Sequence, residues 1–184
     1  MSARLVYVVG PSGAGKDSLL AWVGSRLGAN SGVAFARRTI TRAVQTGGEQ
    51  HESIDPAGFI QLRDAGAFGM AWEANGLSYG VRHSALPPLA DARQVIVNGS
   101  RAYLDEAKKR FPGMTVVHIT ASVATLRQRL LARGRESAEM VEARVRRAQG
   151  ARLPPGQGLI EICNDHSLAQ AGEQLLEVLL HAKI

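Results

Sequence analysis

The run Leu5-Val6-Tyr7-Val8-Val9, followed by Gly10-Pro11-Ser12-Gly13-Ala14-Gly15-Lys16-Asp17-Ser18, decides how the chain folds. The first five residues are apolar and rich in β-formers, the make-up of a buried strand. After the loop, Leu19, Leu20, Trp22, Val23 and Leu27 recur at helical spacing. Glycines placed between a strand and a helix let backbone N–H groups converge on a polyphosphate. The new helix presents its positive dipole end, and Lys16 supplies a mobile cation for the outer phosphates. The segment reads as a P-loop for a nucleoside triphosphate, with Gly10, Pro11, Ser12, Gly13, Ala14, Gly15, Lys16, Asp17 and Ser18 as its binding residues. A mere strand-to-helix turn needs fewer glycines and no lysine. The position after the lysine, ordinarily Ser or Thr, is Asp17. Either its carboxylate meets a Mg²⁺ ion or one of that ion's waters, or it complements the helix N-terminus while Ser18 takes the metal.

The rest of the sequence is read outward from this loop. A length of 184 residues with 45% hydrophobic content suits one domain with a substantial core. The net charge of +6 is dispersed, and the densest arginines, between Arg127 and Arg152, alternate with Leu, Ala and Glu. With only 5% aromatic residues there is little material for stacking on single-stranded nucleic acid, so small phosphorylated molecules fit better as partners than nucleic acid. The single cysteine, Cys163, excludes an internal disulfide and is expected in the core. No apolar run approaches a membrane span, and the start at Met1-Ser2-Ala3-Arg4 leaves no room for a signal peptide, so a cytoplasmic protein without membrane attachment is expected.

Strand and helix signals alternate along most of the length, which predicts an α/β fold: a parallel sheet flanked by helices on both faces. A strand is expected at residues 33–36, then a polar, substrate-facing loop at 37–53. Asp55-Pro56 caps a short helix that stops at Gly66. Residues 68–74, Asn75-Gly76 and 77–81 read as a hairpin. The hairpin is either part of an inserted substrate-binding subdomain spanning 37–82 or an edge of the main sheet. Further elements are expected as a helix near 84–92, a strand at 94–98, a helix at 100–110 and a strand at 115–120. Ser122 and Ser137 start two helices, the first bearing Val123, Leu126, Leu130 and Leu131 and ending at Gly134, the second bearing Met140, Val141, Val145 and Ala148. Their arginine-rich elbow makes residues 122–150 either a lid over transferring phosphates or a solvated helical surface. A last strand at 159–163, Asn164-Asp165, and a helix from Ser167 to about His181 complete the order.

With these motifs placed, the chain resembles the guanylate kinase group of P-loop phosphotransferases and, within it, the ribose 1,5-bisphosphate phosphokinases of phosphonate catabolism. The resemblance spans nearly the whole chain. It is carried by the loop from Gly10 to Leu20, Thr39-Ile40-Thr41-Arg42, Trp72 with Ala74-Asn75-Gly76-Leu77 and Tyr79-Gly80-Val81, Val97-Asn98-Gly99-Ser100-Arg101, Leu126-Arg127-Gln128-Arg129-Leu130 with Arg133-Gly134-Arg135, and Asn164-Asp165. It implies ATP-dependent phosphorylation of ribose 1,5-bisphosphate to 5-phosphoribosyl 1-diphosphate, with Mg²⁺. It further implies that Lys16, Arg133 and Arg144 act on the migrating phosphoryl group and that Asn164 joins the ATP site. Arg38, Arg42 and Tyr79 would hold the acceptor's phosphates, with Asn98, Ser100 and Arg101 near the sugar; Tyr79 could instead simply pack beneath the hairpin.

Guanylate kinases read their base with a tyrosine after a Gly-Glu pair, a glutamate before the hairpin and an aspartate at the end of a later strand. Here Gly48-Glu49 is followed by no tyrosine, the strand ends in Asn98-Gly99-Ser100, and only Glu73 survives in register. A substrate with phosphates and no base fits this pattern. A phosphate acceptor is already ionised near neutral pH, so no general base is needed. His83, His118, His166 and His181 are then surface or packing residues, and His51 is kept as a substrate contact. Two other readings stand beside this one: a nucleoside monophosphate kinase of altered specificity, and a non-catalytic guanylate-kinase-like module that binds peptides. Monomer and homodimer are both open.

Overall fold

The computed structural model describes residues 4–28, 31–44, 50–86, 93–134, 137–149, 153 and 158–181. In chain order the elements are β1 (Arg4–Val9), α1 (Lys16–Gly24), β2 (Val33–Phe35), β3 (Arg38–Ile40), β4 (Glu52–Ser53), α2 (Pro56–Asp64), β5 (Phe68–Ala74), β6 (Leu77–Arg82), β7 (Gln94–Asn98), α3 (Leu104–Arg110), β8 (Thr115–Thr120), α4 (Val123–Ala132), α5 (Ala138–Gln149), β9 (Leu159–Cys163) and α6 (Leu168–His181). Single 3-10 turns cover His83–Ala85 and Arg101–Tyr103. The main sheet is parallel, five-stranded and flanked by helices, in the order β2-β7-β1-β8-β9. A second sheet of four strands runs β4-β3-β6-β5. The chain divides into two compact units, one of residues 1–7 with 27–115 and the other of 8–26 with 116–184.

The first unit contains the second sheet, and the hairpin strands β5 and β6 belong to it rather than to an edge of the main sheet. Asn75 and Gly76 both take positive φ, 53° and 74°, as a two-residue hairpin turn demands. The turn sets Trp72 opposite Tyr79 and Glu73 opposite Ser78. Helix α2 starts where expected, with the Asp55 carboxylate accepting from the Gly58 N–H at 2.8 Å. It packs through Phe59, whose ring stacks on Phe68 at 4.8 Å.

The expected loop at 37–53 is corrected: it contains β3, fully buried and paired antiparallel with β6, and β4, paired parallel with β3. Three residues are too few to display a period, and the burial of β3 comes from β6, some forty residues further along the chain. Residues 47–49 lie outside those described. The helix expected near 84–92 is corrected to the His83–Ala85 turn, with residues 87–92 outside those described.

The second unit holds the glycine loop, α1, β8, β9 and the last three helices. Its core is built from Val8, Val9, Leu19, Val23, Val117, Ile119, Leu126, Leu130, Val141, Val145, Ile162, Leu175 and Leu179. Both serine caps form: Ser122 Oγ accepts from the Thr125 N–H and Ser137 Oγ from the Met140 N–H. Leu131 and Met140 are exposed, so the apolar stripes of α4 and α5 are narrower than their sequences suggest. Arg127 and Glu142 form an ion pair that joins the two helices. Cys163 corrects another expectation. It is exposed, because β9 is an edge strand and alternate residues face away from the core. Among the described residues no helix is long and apolar enough to cross a membrane.

Candidate active site

In the second unit, β1 ends at Val9 and the loop turns through Gly10 to Gly15 into α1. Gly15 is the N-cap residue of that helix, at φ 88°. A Cβ there would lie 2.5 Å from the Asn164 Nδ2, so position 15 excludes any side chain on two counts, strain and space. Lys16 folds back over the loop and donates from Nζ to the carbonyls of Gly10, at 2.7 Å, and Pro11, at 3.3 Å. The ammonium is thereby held at the loop itself.

Asn164, at the end of β9, is only 2% exposed and donates from Nδ2 to the Ala14 carbonyl at 2.7 Å. Its Oδ1 is buried with no partner among the described residues. The neighbouring Asp165 accepts from the Ser122 N–H at 2.7 Å, and that bond is the main reason its carboxyl is pulled down to about 2. One dipeptide thus ties the end of β9 to the glycine loop on one side and to the start of α4 on the other.

A cavity of about 340 Å³ opens beside the loop, within the size range of ligand sites. Gly13, Gly15, Ser18, Arg129, Arg133 and Asn164 line it, with Ala132 and Leu168 as its apolar part. Arg129 and Arg133 stand four residues apart and so share one face of α4. Arg129 belongs to a motif that carries the family resemblance but has no expected site role, although its spacing from Arg133 is a usable signal. One of its guanidinium nitrogens is buried without a partner among the described residues. Ser18 borders the cavity and Asp17 does not, though both are exposed on the first turn of α1. Arg144 is half-buried on α5 and is not a lining residue, and Arg135 of the elbow lies outside the described residues. No cluster of three or more His, Cys, Asp or Glu suited to a metal occurs among the described residues. A Mg²⁺ ion would therefore rest on the Ser18 hydroxyl or the Asp17 carboxylate, with the nucleotide's phosphates supplying further oxygens.

In the first unit, the remaining expected residues gather around β3 and β7. Arg38 is buried, donates from Nη1 to the Asn98 carbonyl at 3.1 Å, and lies over the Tyr79 ring at 5.2 Å. Asn98 is buried at the end of β7. Ser100 is fixed through its backbone by Tyr7, whose hydroxyl accepts from the Ser100 N–H at 3.0 Å and donates to the Ser100 carbonyl at 3.2 Å. Burial pushes the Tyr7 hydroxyl well above its usual pKa, so it stays protonated in this role. Arg101 is half-buried, and desolvation lowers its pKa from the usual guanidinium value.

His51 is buried, and its Nε2 donates to the Arg42 carbonyl at 2.9 Å, which fixes the proton on that nitrogen. The ring therefore sets the backbone of Arg42, whose Nε is buried without a partner among the described residues. Glu52 holds this corner together: it takes two bonds from Arg82, at 2.6 and 2.9 Å, and one from Thr39 at 2.8 Å. The Arg82 guanidinium, bonded to it, is the main cause of its lowered pKa. The structure thus brings Arg38, Tyr79, Asn98 and Ser100 into one neighbourhood and Arg42 with His51 into another. Glu73 is exposed on the hairpin.

A glycine loop after a central parallel strand, a lysine on that loop and an arginine-lined cavity beside it define a P-loop kinase. The backbone matches the crystal structure of guanylate kinase from Anaplasma phagocytophilum with a TM-score of 0.68 over 99% of this chain and 86% of that one, at 12% identity. It matches a gluconokinase from Sinorhizobium meliloti more distantly, with a TM-score of 0.52 at 17% identity over 97% of this chain and 93% of that one. No protein-family model matches the chain. Among curated proteins it is 44% identical to ribose 1,5-bisphosphate phosphokinase PhnN of Azotobacter vinelandii over 180 residues, covering 97% of each chain. It is 43% identical to the protein of that name from Pseudomonas fluorescens, over 98% of this chain and 97% of the relative. The chain belongs to the ribose 1,5-bisphosphate phosphokinase family.

Proposed function

We propose that the protein transfers the γ-phosphoryl group of ATP to the 1-phosphate of ribose 1,5-bisphosphate, giving 5-phosphoribosyl 1-diphosphate and ADP. What carries this reading is the likeness to ribose 1,5-bisphosphate phosphokinases along nearly the full length of both chains. The bond from the γ-phosphorus to the β,γ-bridging oxygen breaks, and a bond to an oxygen of the 1-phosphate forms. That oxygen needs no base, since a phosphate monoester loses its second proton near a pKa of about 6.

The residues then have positioning and charge-neutralising work. Backbone N–H groups of Gly13 to Lys16 hold the donor phosphates, and Lys16 leaves the Gly10 and Pro11 carbonyls for a phosphate oxygen. Arg129 and Arg133 cover the donor from α4, with Leu168 and Asn164 against its base. Arg133 and Arg144 neutralise charge on the migrating group. When bound, Mg²⁺ neutralises donor-phosphate charge, and Ser18 is the better placed of the two candidates to hold it. Arg38, Arg42 and Tyr79 grip the acceptor's phosphates, while Asn98, Ser100 and Arg101 face the sugar. His51 acts through Arg42 rather than by touching substrate.

The test is incubation of purified protein with Mg-ATP and, separately, ribose 1,5-bisphosphate, GMP and AMP, with products identified by phosphorus NMR. The expected result is a new diphosphate signal with the sugar bisphosphate alone. GMP turned over as fast would make the protein a nucleoside monophosphate kinase, and no turnover of any acceptor would leave a binding module.

A further inference from the structure

In the first unit, three aromatic rings and a guanidinium form a continuous stack in the neighbourhood assigned to the acceptor. Trp72 is its shared member. The indole lies 5.7 Å from the Tyr79 ring, with the planes parallel within 2°, and 5.7 Å from the Tyr103 ring at 29°. Arg38 continues the run over Tyr79. Trp72 is 8% exposed, so little of its surface is open to a ligand. Its two stacking partners come from different elements. Tyr79 stands on β6 beside Arg38, and Tyr103 closes the turn that begins at Arg101, just after Asn98-Gly99-Ser100.

Indole and purine are both flat, fused five- and six-membered rings of nearly equal size. A slot that stacks one against two tyrosines has the shape to stack the other. We propose that Trp72 determines acceptor specificity: its indole fills the slab beside Tyr79 and Tyr103 in which a purine would otherwise stack, so that the site takes a phosphorylated sugar and refuses a purine nucleoside monophosphate. This inference rests on the reading of Arg38 and Tyr79 as acceptor residues. It is independent of the lost base-reading side chains, because it excludes the base by volume and not by missing hydrogen bonds. Trp72 needs no contact with the sugar phosphate to do so.

The experiment compares the wild type with Trp72→Ala and Trp72→Phe. Calorimetry measures GMP and AMP binding, and a coupled assay with Mg-ATP measures turnover of ribose 1,5-bisphosphate, GMP and AMP. Opening the slot in Trp72→Ala should tighten purine monophosphate binding at least tenfold and raise its kcat/KM relative to the sugar bisphosphate by a similar factor. Trp72→Phe, which keeps a ring in place, should behave as the wild type. A folded Trp72→Ala protein with wild-type purine affinity and wild-type acceptor ratio overturns the proposal.

Should Trp72→Ala not fold, Trp22→Phe leaves Trp72 as the one tryptophan, since the chain has two. Its emission should then respond to ribose 1,5-bisphosphate and stay unchanged with AMP up to tenfold higher concentration. An AMP response at the same concentration overturns the proposal. Failure of the wild type to phosphorylate ribose 1,5-bisphosphate would defeat the functional reading instead, and the purine-binding comparison would still judge Trp72.

Discussion

Replacing Asn164 with alanine tests how the glycine loop is held in shape. The lost group is a buried N–H donor bonded at 2.7 Å to the carbonyl of Ala14, itself fully buried. Among the described residues no other side chain bonds that carbonyl, and a buried acceptor left unpaired costs about 1–3 kcal/mol. For a chain of this length each kcal/mol shifts the melting temperature by roughly 2–4 °C, so a mid-range loss of about 2 kcal/mol predicts a fall of about 4–8 °C. The loop should suffer locally as well, because Ala14 lies between the two glycines whose N–H groups are assigned to the donor phosphates. Nucleotide affinity is therefore expected to fall along with stability, while affinity for the acceptor is unchanged. Differential scanning fluorimetry with and without nucleotide, and steady-state kinetics with each substrate varied, read these effects separately. Asn164→Asp should be worse near neutral pH, since it sets a carboxylate oxygen against the Ala14 carbonyl. It should recover partly in acid, where the protonated acid donates again. A melting temperature within 1 °C of wild type for Asn164→Ala, with unchanged nucleotide affinity, would refute the reasoning.

Lys16→Ala should lower turnover by at least about 10²–10³-fold, the usual effect of removing one preorganised charge from a transition state, with the fold retained by circular dichroism. Full activity would remove Lys16 from the site. The Asp165 carboxyl, held at about 2 against an ordinary 3.8, contributes stability that is present above the unfolded value and is lost as pH falls through the folded one. Urea unfolding of the wild type should accordingly lose an increment between about pH 4 and pH 2 that Asp165→Asn lacks, and identical pH profiles would count against it. If Ser18 holds the metal, Ser18→Ala should raise the Mg²⁺ concentration needed for half-maximal rate several-fold and Asp17→Ser should leave it unchanged; the opposite pattern would assign the metal to Asp17.

The local signals were strong wherever a short stretch carries its own reason for its shape. The strand, loop and helix from Leu5 to Gly24, the Asn75-Gly76 turn, the serine caps at 122 and 137 and the strand at 115–120 all follow from periodicity, caps and backbone freedom, and each stands in the structure. The glycine loop with its lysine was legible for the same reason, whereas the arginine-rich elbow reads equally as a solvated surface. Strand β3 was not legible: Arg38-Thr39-Ile40 is polar at two positions of three, and its burial is conferred by β6 and by the Arg38 bond to Asn98. The exposure of Cys163 likewise depends on β9 lying at the edge of the sheet.

By itself, then, the amino-acid order determined the class of fold and the kind of chemistry, because those rest on interactions between residues a few positions apart. Only the tertiary structure decided that Asn164 bonds the glycine loop, that Arg129 and Arg133 line one cavity with that loop, that His51 bonds the Arg42 carbonyl, and that Trp72 stacks on Tyr103. Asn164 and Ala14, Arg129 and Gly13, and Trp72 and Tyr103 lie far apart along the chain, and such contacts exist only after packing has brought the strands and helices together.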